Sequence, residues 1–133
     1  MSTLRSLQPS DWPRPAGYSN GVLAQGRQVF IAGQIGWDPL TGRFASTSLV
    51  EQVTQALKNV LAVLAQAQGS PEHIVRMTWY LASRDEYLAR LKEIGAAYRE
   101  VMGKHFPAMT AVQVAGFVEA GAKVEIEATA VVP

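Results

Sequence analysis

The chain has 133 residues, 48% hydrophobic and only 17% charged, with 12 basic against 11 acidic side chains and a formal net charge of +1. This composition fits a single globular domain over 1–133 and excludes a disordered chain; lacking any basic stripe, it also disfavours nucleic acid as a partner. Cysteine is absent, which removes thiol catalysis, disulfides and thiolate metal sites. No stretch of Met1–Pro15 can act as a signal peptide and no segment is apolar enough to span a bilayer, so the expected location is the cytoplasm, with no membrane partner.

Residues 1–15 read as an extended lead-in, and the prolines and Gly17 make 9–17 rich in turns. Val22-Leu23-Ala24 and Gln28 to Ala32 flank Gln25-Gly26-Arg27, a pattern that predicts a β-hairpin. Gly36 to Gly42, with Asp38-Pro39 and Thr41, is a loop. From about Thr47 the apolar period changes to three and four: Leu49, Val53, Ala56, Leu57, Val60, Leu61 and Leu64 form one helical stripe, with Glu51, Gln52, Gln55, Lys58 and Asn59 on the opposite, polar face. Ser46, Thr47 or Ser48 supplies the N-cap, and Gly69 marks the stop.

Ile74 to Leu81 alternates as a strand, with Val75, Met77, Trp79 and Leu81 on one face and Arg76, Thr78 and Tyr80 on the other. A second helix opens at Ser83 or Asp85, carries Tyr87, Leu91, Ile94, Tyr98 and Val101 on its apolar side, and ends at Gly103. Two strands close the chain, roughly 110–115 and 123–132. The order β-β-α-β-α-β-β predicts an α+β fold, a mixed sheet with two helices on one face. The other face is left uncovered, and burying it against copies of the same chain predicts a homo-oligomer.

No phosphate-cradling glycine loop and no nucleophile elbow is present. His73 and His105 have no metal-ligand spacing to another ligating residue, and no metal or cofactor is expected. The last strand is the chemically informative segment: Glu125 and Glu127 share one side of it, and Val124, Ile126 and Ala128 share the other. A half-buried carboxylate costs free energy unless something pairs with it or uses it.

Three separated pieces then agree. Gly17-Tyr18-Ser19 precedes the first predicted strand. Phe30-Ile31-Ala32-Gly33-Gln34-Ile35 is followed by Asp38-Pro39-Leu40-Thr41-Gly42. Phe106-Pro107-Ala108-Met109-Thr110-Ala111-Val112 leads towards Val124-Glu125-Ile126-Glu127-Ala128. Together they resemble the Rid family of reactive-intermediate deaminases, also called the YjgF/UK114 family, over about 16–131.

The resemblance implies a chorismate-mutase-like homotrimer with a cleft at each subunit interface. It also implies hydrolysis of enamines and imines to a keto compound and ammonia, without a cofactor. It assigns Glu125 the catalytic carboxylate and Tyr18 a place against the substrate, with Gly33, Gln34, Met109 and Thr110 lining the site. At Met109 deaminase members carry an arginine that grips the substrate carboxylate through paired hydrogen bonds, whereas methionine has no donor. The helix position that often carries asparagine corresponds to Gly95. Arg14, in the lead-in, is a substitute cation to be tested. Against these stand bland readings: Glu125 bonded to backbone or Lys123, Tyr18 as an interface aromatic, Met109 as core packing, and Glu127 as structural. The leading expectation is a small-metabolite-binding trimer of the enamine/imine deaminase type. A non-catalytic ligand-binding trimer is the alternative, and an endoribonuclease or translation inhibitor the weaker one.

Overall fold

A computed structural model describes residues 3–133. Among them the elements are β1 (Thr3–Leu7), β2 (Gly21–Gln25), β3 (Arg27–Ile35), α1 (Leu49–Ala65), a 3₁₀ turn (Pro71–His73), β4 (Ile74–Leu81), α2 (Arg84–Ala89), α3 (Leu91–Met102), β5 (Ala108–Gln113) and β6 (Val124–Val132). The fold is α+β, with a four-stranded mixed sheet in the order β3-β6-β4-β5. β6 runs antiparallel to both β3 and β4, while β4 and β5 are parallel. No helix among the described residues is long and apolar enough to cross a membrane.

α1 forms where its stripe demands. Ser48 caps it by accepting from the Glu51 N–H, and Val53, Leu57, Val60 and Leu64 are completely buried. They pack over Met77, Trp79 and Leu81 of β4 and Val124, Ile126, Ala128 and Ala130 of β6. Each fully buried aliphatic side chain of this kind contributes roughly 1.5–3 kcal/mol. The register pairs Met77 with Ala128, Trp79 with Ile126 and Leu81 with Val124, so these residues share the helix-covered face. Tyr80 opposite Glu125 and Thr78 opposite Glu127 therefore lie on the open face. Phe30, paired with Thr129, lies there too and is 73% exposed.

Four expectations are corrected. β2 and β3 do not form a hairpin: β2 gives its backbone pairing to β1, a strand within the segment read as lead-in. The Ser19 N–H bonds the Pro107 carbonyl beside β5, whereas Arg27 opens β3 on the opposite edge. The chain between them therefore crosses the end of the sheet, with Gly26 (φ 148°) at the bend. The second helix is divided at Arg90, whose backbone (φ −115°, ψ 15°) is not helical. In β4, Ile74 rather than Val75 is buried, because the pairing with β6 slips between Ile74 and Arg76.

The fourth correction concerns α1. Gln52 and Asn59, expected on its polar face, are 1% and 5% exposed. Gln52 Nε2 donates to the carbonyls of Ser46 and Gly121, and its Oε1 accepts from the Lys123 N–H. Asn59 Nδ2 donates to the carbonyls of Ile35 and Trp37. Fully bonded amides can be buried without the usual polar penalty. Both clamp the loops that enter and leave the sheet, and at Gly36 the backbone comes so close to Gln52 that a Cβ would lie 2.5 Å from the Gln52 Cα.

Candidate functional site

The residues singled out by sequence line separate hollows, with Tyr18 and Met109 at the β5 edge, where Thr110 joins them in one, and Gly33 with Glu125 in another. On the helix-covered side, a cleft of about 420 Å³ opens between α2–α3 and the β4–β5 edge. Tyr18 and Met109 both line it. Met109 pairs with Met77 in the parallel β4–β5 ladder and so points beneath the helices. Thr110, the next residue, faces the other way, beside Thr78 and Glu127. Gly95 also lines the cleft. Arg14 does not; it lines a neighbouring hollow with His105.

The cleft wall is an aromatic series. Tyr98 stacks on Phe106 with centroids 5.5 Å apart and planes at 17°. Trp79 lies 6.3 Å from Tyr98 and meets Tyr87 edge-on at 6.5 Å. Tyr98 donates its hydroxyl proton to the His105 carbonyl, and burial pushes its pKa well above the usual tyrosine range. Burial raises Tyr87 in the same direction. The Trp79 indole N–H is buried with no acceptor among the described residues, an arrangement that costs roughly 1–3 kcal/mol. Sequence reasoning placed Trp79, Tyr87 and Tyr98 on the apolar faces of their elements; apolar periodicity marks such a face but does not say whether a hollow lies beneath it.

On the open face, Gly33 and Glu125 meet in a second, shallower hollow with Tyr80 and Glu127. The Glu125 carboxylate rests directly on Gly33: a Cβ built there would lie 2.2 Å from Oε2. Only glycine permits that approach. Glu127 is engaged by the Tyr80 hydroxyl, which donates to it, and this bond raises the Tyr80 pKa. Among the described residues Glu125 has no side-chain hydrogen bond, and Lys123 reaches Glu86 at 3.2 Å instead. Gln34 does not join the hollow; its side chain turns back to the Ala32 carbonyl.

The two hollows differ in chemistry. One is an open, largely apolar cleft with aromatic walls and Arg99 in its lining, suited to an organic ligand of modest size. The other presents a carboxylate without a side-chain hydrogen bond among the described residues, lying directly over a glycine. Together they would supply binding surface and a proton-transfer group; apart, neither is a complete active site.

A sequence profile described as Endoribonuclease L-PSP matches residues 11–132. A human relative described as 2-iminobutanoate/2-iminopropanoate deaminase is 35% identical over 134 residues, covering 98% of this chain and 93% of its own. A Yersinia pestis protein of the conserved Rid family superposes with a TM-score of 0.83 at 29% identity, covering 97% of this chain and 98% of that one. E. coli TdcF, solved with bound serine, gives a TM-score of 0.69 at 30% identity over 97% of this chain and 99% of its own.

Proposed function

The chain belongs to the Endoribonuclease L-PSP family, the Rid or YjgF/UK114 family of its solved relatives, and from that premise we propose that it is an imine or enamine hydrolase acting in a cleft between subunits. One observation carries the reading: Tyr18 and Met109 line the aromatic cleft at the β5 edge, while Gly33 and Glu125 line a separate hollow on the open face. A site containing all four needs the carboxylate hollow of one copy set against the aromatic cleft of another. The uncovered sheet face around Phe30 supports such an assembly, because exposed apolar surface of this kind is stabilised by burial. Three copies is the stoichiometry the family resemblance implies.

The chemistry follows from Glu125. Its carboxylate accepts a proton from a water molecule as the water oxygen attacks the imine carbon. Glu125 returns that proton to the nitrogen, giving the neutral carbinolamine; it then takes the remaining hydroxyl proton as the carbonyl forms and delivers it to the nitrogen as the C–N bond breaks, so ammonia leaves and the carboxylate is regenerated. An enamine enters the same path after protonation at carbon. Tyr18 donates a hydrogen bond to the reacting polar group, and Met109 supplies an apolar wall. The substrates named for the human relative, and the serine in TdcF, all bear a carboxylate, so we assign this chain a ligand of that class.

The test uses imino acids generated in situ, and an uncharged enamine, with ammonia release followed above the spontaneous rate. Release is expected from the parent, and a loss of about 10²-fold or more in Glu125→Gln. No release above background from either class, with Glu125→Gln equal to the parent, discards hydrolysis. Met109 favours a second reading, a ligand-binding trimer without turnover, since a thioether offers no charged grip. That reading expects saturable thermal stabilisation by carboxylates with no ammonia.

A further inference from the structure

Resting on the carboxylate-binding reading above, the geometry points to Arg99 of α3 as the anchor for the ligand's anionic end, giving the cleft a preference for carboxylates with a bulky apolar body. Met109 leaves the cleft without a cation from β5. Arg99 restores one from the opposite wall, since it is the arginine among the cleft-lining residues. Its guanidinium lies beside Gly95, one helical turn back: a Cβ built on Gly95 would be 3.4 Å from Arg99 Nη1. The guanidinium thus lies over residue 95, at van der Waals distance from where a methyl would sit.

Arg99 makes no salt bridge among the described residues, where the two ion pairs are Arg90–Glu93 and Lys123–Glu86. A guanidinium cannot shed its charge at neutral pH and presents a planar fork that fits a carboxylate through two parallel N–H bonds. Behind it the wall is apolar: Trp79, Tyr98, Phe106 and Met109. A cation at the mouth and aromatic rings within select an anion attached to a hydrophobic group. The cleft, at about 420 Å³, holds a side chain larger than the two- or three-carbon bodies of the smallest 2-imino acids. Arg76, the other arginine near Met109, lines a separate hollow at the β5 edge with Tyr18, Met109 and Thr110, and another with Thr78, Tyr80 and Glu127; it does not line the aromatic cleft, and its variant is therefore the control for Arg99.

Isothermal titration with phenylacetate and with phenylacetamide, its uncharged isostere, tests the assignment. The parent is expected to bind phenylacetate about tenfold or more tightly than the amide. Arg99→Met should erase that preference while leaving amide binding unchanged, Arg99→Lys should keep part of it, and Arg76→Met should keep it whole. Equal affinity for the two probes in the parent, or a preference that survives Arg99→Met or falls with Arg76→Met, overturns the assignment. Binding of neither probe overturns it as well, while the ammonia assay judges the hydrolase reading on its own.

Discussion

Tyr98 joins the core to the cleft: its ring stacks on Phe106 and its hydroxyl is tied to the His105 carbonyl. Burial favours its neutral form and raises its pKa, as it does for Tyr87, and the bond to Glu127 acts in the same direction on Tyr80. A group whose folded pKa lies above its unfolded value contributes stability that is fully present below the unfolded pKa, about 10 for tyrosine, and is lost as pH rises beyond it. Thermal midpoints measured from pH 8 to 11 should therefore fall on the alkaline side. Tyr98→Phe should flatten that fall while lowering stability at pH 7 by about 1 kcal/mol through the lost hydrogen bond. An unchanged alkaline slope in the variant would contradict the assignment.

At the scale of the element, α1 is the informative case. Its apolar stripe and its Ser48 cap were legible from spacing alone, because a 3.6-residue period and a hydroxyl at the N-cap are local properties. Gln52 and Asn59 were not, because their burial depends on carbonyls of Ser46, Gly121, Ile35 and Trp37 that reach α1 only after folding. Gln52→Ala strands buried backbone groups and should lower stability by roughly 2–3 kcal/mol. Lys58→Ala, from the exposed side of the same helix, should stay within about 0.5 kcal/mol. Chemical denaturation of the two variants measures the difference, and equal losses would mean that the amide clamps contribute nothing. The break at Arg90 has no local signal, since neither proline nor glycine stands there.

For the whole molecule, the decisive feature is a sheet with helices on one face and Phe30, Val112 and the Tyr80–Glu127 pair on the other. If that face is buried between copies, light scattering should give three times the 14.4 kDa chain mass. Phe30→Asp should then shift the population towards single chains and remove ammonia release at the same time, by separating Glu125 from the partner's cleft. A Phe30→Asp protein that stays assembled and active would show that the cleft is completed elsewhere.

From its residues alone, the chain determined the family, the α+β class, the helix stripe and the face shared by Glu125 and Glu127, all of which follow from local periodicity and short motifs. Folding decided the rest: that β2 pairs with β1 instead of β3, that Gly33 receives the Glu125 carboxylate, and that Arg99 lies beside Gly95 at the aromatic cleft. Those outcomes depend on which backbone donors and which empty volumes remain once distant segments pack, and no window of neighbouring residues contains that information.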